Sequence, residues 1–155
     1  VPLSAYDTGI THAKWPGRLQ RLTQGPLVGM IPPHIELWID GGHNDSGGMV
    51  LRDQAKAWKE TDNKDLHVIL GMLNTKNPKE FADFILPHAS SAQAIAIPDQ
   101  PLSLSAEDLA GALQIPVSAS IESAIQKICA GTKAPARILI TGSLYLMGYI
   151  LKDNS

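Results

Sequence analysis

The stretch LWIDGGHNDSGG, residues 37–48, puts an acid, a histidine and an asparagine onto one glycine-rich turn. Asp40 closes an apolar run, His43 and Asn44 follow at once, and glycines stand at 41, 42, 47 and 48. Glycines at the end of a strand let the backbone come close to a ligand, and the N-terminus of a following helix presents N–H groups to an anion. Three further stretches have the same texture: Gly71–Lys76, Pro98–Asp99 and Thr141–Ser143. Each also has a plainer reading. Asp40 reads equally as a helix N-cap, His43 as a solvated loop histidine, Ser143 as the cap of the last helix and Lys76 as a surface lysine.

The elements that would position these groups alternate after residue 34. IELWID (35–40), LHVILGML (66–73), AQAIAIP (92–98) and ARILITGS (136–143) read as buried strands. Helices are expected over 45–60, 77–89, 105–113, 118–131 and 144–153. Leu51, Ala55 and Trp58 share a face of the first helix. Asn77 with Pro78 and Glu80, and Ser105 with Asp108, carry capping-box spacing, and Gly131 ends the fourth helix. Apolar strands without strict alternation predict a parallel sheet covered on both faces. The fold class is therefore α/β, Rossmann-like, with ligands expected beyond the C-terminal strand ends. WPGRLQRLTQGPLVGMIPP, before the first strand, has turn chemistry at Gln24–Gly25–Pro26 and reads as an edge hairpin. Residues 1–14 read as a linker or arm, and 15–155 as the domain.

Bulk properties exclude several classes. A chain of 155 residues with 44% hydrophobic and 18% charged residues and a net charge of −2 suits one globular domain. It has neither the basic stripe of a nucleic-acid binder nor an apolar run long enough for a membrane span. The start has no signal-peptide pattern, and a cytoplasmic location is expected. The single cysteine, Cys129, lies at helical spacing from Ile121, Ala124, Ile125 and Ile128 and reads as a buried structural thiol. The five histidines have no paired ligand spacing, TGSLYL lacks the second glycine of a nucleophile elbow, and no G-x-x-x-x-G-K-[ST] phosphate loop or G-x-G-x-x-G turn occurs. The residues alone define an α/β domain with a polar, glycine-rich ligand edge.

Taken in order, WPGRLQ, LWIDGGHNDSGG, LGMLNTKNP and ITGSLYLMG resemble the C-terminal domain of folylpolyglutamate synthase/dihydrofolate synthase, in the Mur ligase superfamily. The resemblance runs from about Trp15 to about Leu151. It implies an ATP-dependent carbon–nitrogen ligase in which ATP phosphorylates a carboxylate of dihydropteroate or of a folate glutamate tail. The amine of an incoming glutamate then attacks the acyl phosphate. It implies ATP and Mg2+ as cofactors, with metal ligands mainly from an N-terminal P-loop domain of the same polypeptide; the C-terminal domain closes over the nucleotide. The initial Val and the missing phosphate loop fit a piece of such a chain, which by itself would not catalyse ligation.

By the same resemblance Arg18 reaches the nucleotide phosphates and takes the catalytic role. Asp40 contacts the ribose hydroxyls, His43 lies near base and sugar, and Asn44 completes the nucleotide-binding string. Lys76 and Ser143 fall on the glutamate side. There are departures. Gly42 stands where the family usually has alanine, which is expected only to loosen the turn. Asp45 replaces the proline after Asn44, NTKN (74–77) lacks the two acids that usually flank the lysine, and GMIPPHIE reads as an extra loop. Two other readings compete: a Mur ligase joining an amino acid to a nucleotide-linked sugar peptide, and a non-catalytic nucleotide-binding α/β module.

Overall fold

The computed structural model describes residues 16–154; the arm expected at 1–14 lies outside them, as does Trp15. Five strands form one sheet: β1 (Gln20–Leu22), β2 (Ile35–Asp40), β3 (Asp65–Leu70), β4 (Ser91–Ala94) and β5 (Ala136–Thr141). Their order is β1-β2-β5-β3-β4, with only the β1–β2 pair antiparallel. Five helices cover it: α1 (Asp45–Asp62), α2 (Pro78–Ile85), α3 (Ala106–Leu113), α4 (Ile121–Gly131) and α5 (Leu144–Asn154). This is the mostly parallel, two-faced α/β fold that the sequence predicts.

Alternation along each strand sorts the core into two layers. Leu37, Ile39, Ile69, Ile138 and Ile140 pack with Ile121, Ile125 and Ile128 of α4 and with Leu146, Met147 and Ile150 of α5. Val68, Leu70 and Leu139 face the other way, onto Leu51 and Ala55 of α1, Phe81 and Ile85 of α2, and Leu109 of α3. All six residues of the central β5 are buried, which explains why it reads as a continuous apolar run. Cys129 packs against the first layer, and burial pushes its thiol up.

The caps appear where the sequence puts them. Asn77 Oδ1 accepts from Lys79 N at 3.1 Å and Ser105 Oγ from Asp108 N at 3.0 Å. Boundaries differ where a local bond competes. Ser120 Oγ accepts from Ser123 N, so α4 starts at Ile121 rather than at 118. Pro87 has no N–H to continue the ladder, so the helix expected over 77–89 stops at Ile85 and ends in a 3-10 turn, Leu86–His88. β4 stops at Ala94 instead of Pro98, because the chain turns away and Ile97 N bonds Ser103 Oγ at 2.8 Å. The hairpin expected within residues 15–34 is formed instead between β1 and β2. Gln24–Gly25–Pro26 and a 3-10 turn, Val28–Met30, lie in their connection.

The N-terminal end of the sheet holds a charged cluster. Arg137, only 8% exposed, places Nη2 at 2.6 Å from Asp62 and Nε at 3.2 Å from Glu36, with its guanidinium 4.6 Å from the Trp58 ring centroid. Lys64 Nζ lies 2.7 Å from Glu36. The Arg137 hydrogen bonds pull the Asp62 carboxyl down to about 2. Burial pushes Glu36 upward, but Lys64, Trp38 and Arg137 together hold it below its ordinary value.

Candidate functional site

β2, β5 and β3 end level: Asp40 is in register with Thr141, and Thr141 with Leu70. The turns that follow form the C-terminal edge, and the groups singled out in the sequence gather there. Arg18, Asp40, His43 and Asn44 line one cavity of about 380 Å³, together with Leu19, Gly41, Gly42, Val50 and Leu144. His43 and Leu144 also line a second pocket of about 180 Å³, shared with Leu73, Lys76, Ser143 and Tyr145. Residues up to 127 positions apart thus meet in two adjoining hollows.

Asp40 is half-buried, and both carboxylate oxygens accept backbone hydrogen bonds. Leu19 N donates to Oδ1 at 2.9 Å and Gly42 N to Oδ2 at 2.8 Å. Burial pushes its carboxyl above the ordinary value, against the opposing pull of those two N–H groups and the Arg18 charge. The N-cap of α1 is Asn44 rather than Asp40: Asn44 Oδ1 accepts from Gly47 N at 3.0 Å. His43 Nδ1 lies 3.1 Å from the carbonyl of Gly41, which can only accept, so a proton is assigned to Nδ1, and in the neutral ring Nε2 is the acceptor.

Ser143 caps the start of α5, its Oγ accepting from Tyr145 N at 3.0 Å, and it is buried. Lys76 is half-buried and, among the described residues, has no carboxylate within salt-bridge distance. The first turn of α1 is less open to an anion than the glycine pattern suggests. Ser46 N bonds Asp45 Oδ1, Gly47 N bonds the Asn44 side chain and Gly48 N bonds the Asn44 carbonyl.

Two glycines at this edge have a steric reason. Gly142 has φ +118, and a Cβ there would run into the carbonyl of Gly71. At Gly42 a Cβ would lie 2.9 Å from Asp40 Oδ2 and 3.0 Å from Phe81 Cε1. At Gly42 the turn is therefore closely packed against its own strand-end acid and α2. Sequence reasoning also missed the apolar rim. Val50, Leu144 and Tyr145 are 62%, 50% and 59% exposed. The available signal was two large side chains, Leu144 and Tyr145, opening a helix directly after a glycine strand end.

The glycine turn, the strand-end acid and the adjoining pockets lie at the carboxyl edge of the sheet, where open α/β folds bind their ligands. No protein-family model matches the sequence, and no curated protein does. Solved structures do. The chain is similar to E. coli FolC in complex with DHPP and ADP, at TM-score 0.74 and 22% identity over 98% of this chain and 34% of that one. A bifunctional folylpolyglutamate synthase/dihydrofolate synthase from Yersinia pestis, complexed with AMPPNP and Mn, matches at TM-score 0.73 and 18% identity, with 98% and 34% covered. Mycobacterium tuberculosis folylpolyglutamate synthase complexed with ADP and AMPPCP matches at TM-score 0.69 and 22% identity, with 100% and 36% covered. The chain spans about a third of the length of these enzymes and has the fold of their C-terminal domain.

The described residues fit part of a nucleotide. Arg18 supplies a charged fork, His43 Nε2 an acceptor, and Val50 and Leu144 apolar surface in one cavity. They do not fit a divalent cation, because no group of three or more His, Cys, Asp or Glu converges among them and Asp40 already accepts two N–H bonds. No helix among the described residues is long and apolar enough to cross a membrane.

Proposed function

We propose that this chain is the C-terminal part of an ATP-dependent ligase that joins glutamate to dihydropteroate or to a folate through an acyl phosphate. One observation carries the reading. In a fold that matches such enzymes over 98% of the chain, the residues of four separate motifs converge on two adjoining pockets at one sheet edge. The larger pocket would take the nucleotide, with Arg18 toward the phosphates, His43 toward base and ribose, Asp40 at the strand end between them, and Asn44 fixing the helix that bears the turn. The smaller would take the glutamate side, where the Lys76 ammonium attracts a carboxylate and Ser143 lines the wall.

Chemically, the reaction brings two anions, a carboxylate and the γ-phosphate, into line. The attacking oxygen forms a bond to phosphorus as the ADP oxygen leaves; the glutamate amine then displaces phosphate and loses a proton. Arg18 would stabilise the charge on the transferring phosphoryl group, and a closing edge would exclude water from the acyl phosphate. The P-loop and the Mg2+ ligands belong, in this reading, to a partner domain of the same polypeptide. Phosphate release by the full-length parent chain with ATP, magnesium and glutamate is the test, with and without dihydropteroate or a reduced folate. Release that requires both glutamate and the pterin compound supports the proposal. Release with a nucleotide-linked sugar peptide instead, or none with any acceptor, defeats it in favour of another Mur ligase or a binding module.

A further inference from the structure

The segment that presents Arg18 is strained. Gly17 has φ +74 and Leu19 φ +41, so Arg18 sits at the tip of a tight turn between two left-handed residues. For glycine that conformation costs little; for leucine it is unfavourable and persists only when its surroundings enforce it. Three contacts do so. The Leu19 amide donates to Asp40 Oδ1 at 2.9 Å, Gly41 N donates to the Gly17 carbonyl at 2.6 Å, and Gly17 N donates to Gln20 Oε1 at 3.0 Å. The Leu19 side chain packs against the core layer formed with α1, α2 and α3. Gly17 lies so close to α5 that a Cβ would be 2.8 Å from Met147 Cβ.

Of these contacts only the one from Asp40 uses a side chain of the ligand edge. Its carboxylate bridges two backbone segments: Oδ1 holds the Arg18 turn and Oδ2 holds the glycine turn bearing His43. We infer that Asp40 is a positioning residue, whose main contribution is to lock the strained turn that aims Arg18 into the cavity, rather than to bind the nucleotide itself. The carboxylate suits this task because its two oxygens accept from two donors at once; an amide offers one oxygen and would set its NH2 against the other donor.

The inference rests on the ligase reading for its kinetic consequence but not for its structural one, so two measurements separate them. In the full-length parent chain, Asp40→Asn should lower kcat about 10-fold, and less than about 2-fold when Arg18→Ala is already present, since coupled residues give non-additive effects. The preference for ATP over 2′-deoxy-ATP should be the same in Asp40→Asn as in the unaltered chain. Equal losses from Asp40→Asn in both backgrounds, or loss of that preference in the variant, would overturn the inference in favour of a direct ribose contact. Hydrogen exchange of residues 17–22, followed by mass spectrometry, supplies the second readout and needs no activity. Asp40→Asn should speed exchange there about 10-fold, while the strands β3 and β5 keep their protection. Unchanged exchange at 17–22 sinks the positioning role whatever the kinetics. A parent chain with no ATP-dependent activity would defeat the ligase reading alone, because the exchange result still decides whether Asp40 holds the turn.

Discussion

At the N-terminal ends of the strands, Arg137 lies between Asp62 and Glu36, and Lys64 shares Glu36. At the C-terminal ends, among the described residues, neither Arg18 nor Lys76 has a carboxylate within salt-bridge distance, and Asp40 is bound to backbone. One end neutralises its charges internally, under a tryptophan ring. The other leaves cations open beside cavities and uses its one strand-end acid to hold the chain. The difference separates charges that complete the fold from charges available to a ligand, although both ends have an arginine, an acid and a lysine.

The largest way to break this contrast is at Arg137. Arg137→Ala leaves Glu36 and Asp62 without their buried partner and is expected to destabilise the chain by about 3 kcal/mol. Arg18→Ala should change stability by less than about 0.5 kcal/mol. Denaturant unfolding of the two variants checks this, and similar losses from both would erase the distinction. A smaller effect is expected at Gly42. Gly42→Ala presses on Asp40 Oδ2 and Phe81 Cε1 and should cost about 1 kcal/mol. A neutral or stabilising result would mean that the glycine turn is not tight.

The smallest effect is confined to acid. Asp62 titrates at about 2 in the folded chain against an ordinary 3.8, so its contribution is present above about pH 4 and is lost as the pH falls toward 2. Asp62→Asn should flatten that part of the stability–pH curve and leave the neutral region parallel to the unaltered chain. Thermal melts between pH 2 and 5 would test it, and an unchanged acid slope would show that solvent screens the pair completely.

The parallel core and two helix starts were legible because their signals are local: apolar runs, Asn77 before Pro78, and Ser105 before Asp108. The same locality made the edge visible, since glycines and polar residues collect at the strand ends. What stayed hidden depends on partners far along the chain. Arg137 reads as one charge in an apolar strand until Glu36, 101 residues away, and Asp62, 75 away, are brought beside it. Asp40 reads as a cap or a ligand group until Leu19, 21 residues earlier, donates to it. β4 was overextended because Ile95 and Ile97 keep an apolar pattern after the ladder ends, and only Ser103 shows where the chain turns.

The short strand β1 has a consequence of another kind. Its antiparallel pairing covers Leu37, Trp38 and Ile39 on the outer side of β2, while the opposite border of the sheet is the four-residue β4. A bare β2 would offer unpaired N–H and C=O groups along six residues rich in Leu, Ile and Trp, a ready template for joining another copy. The segment that carries the Arg18 turn therefore also covers that template. Trimming the chain past Leu22 would bare that template and is expected to favour self-association.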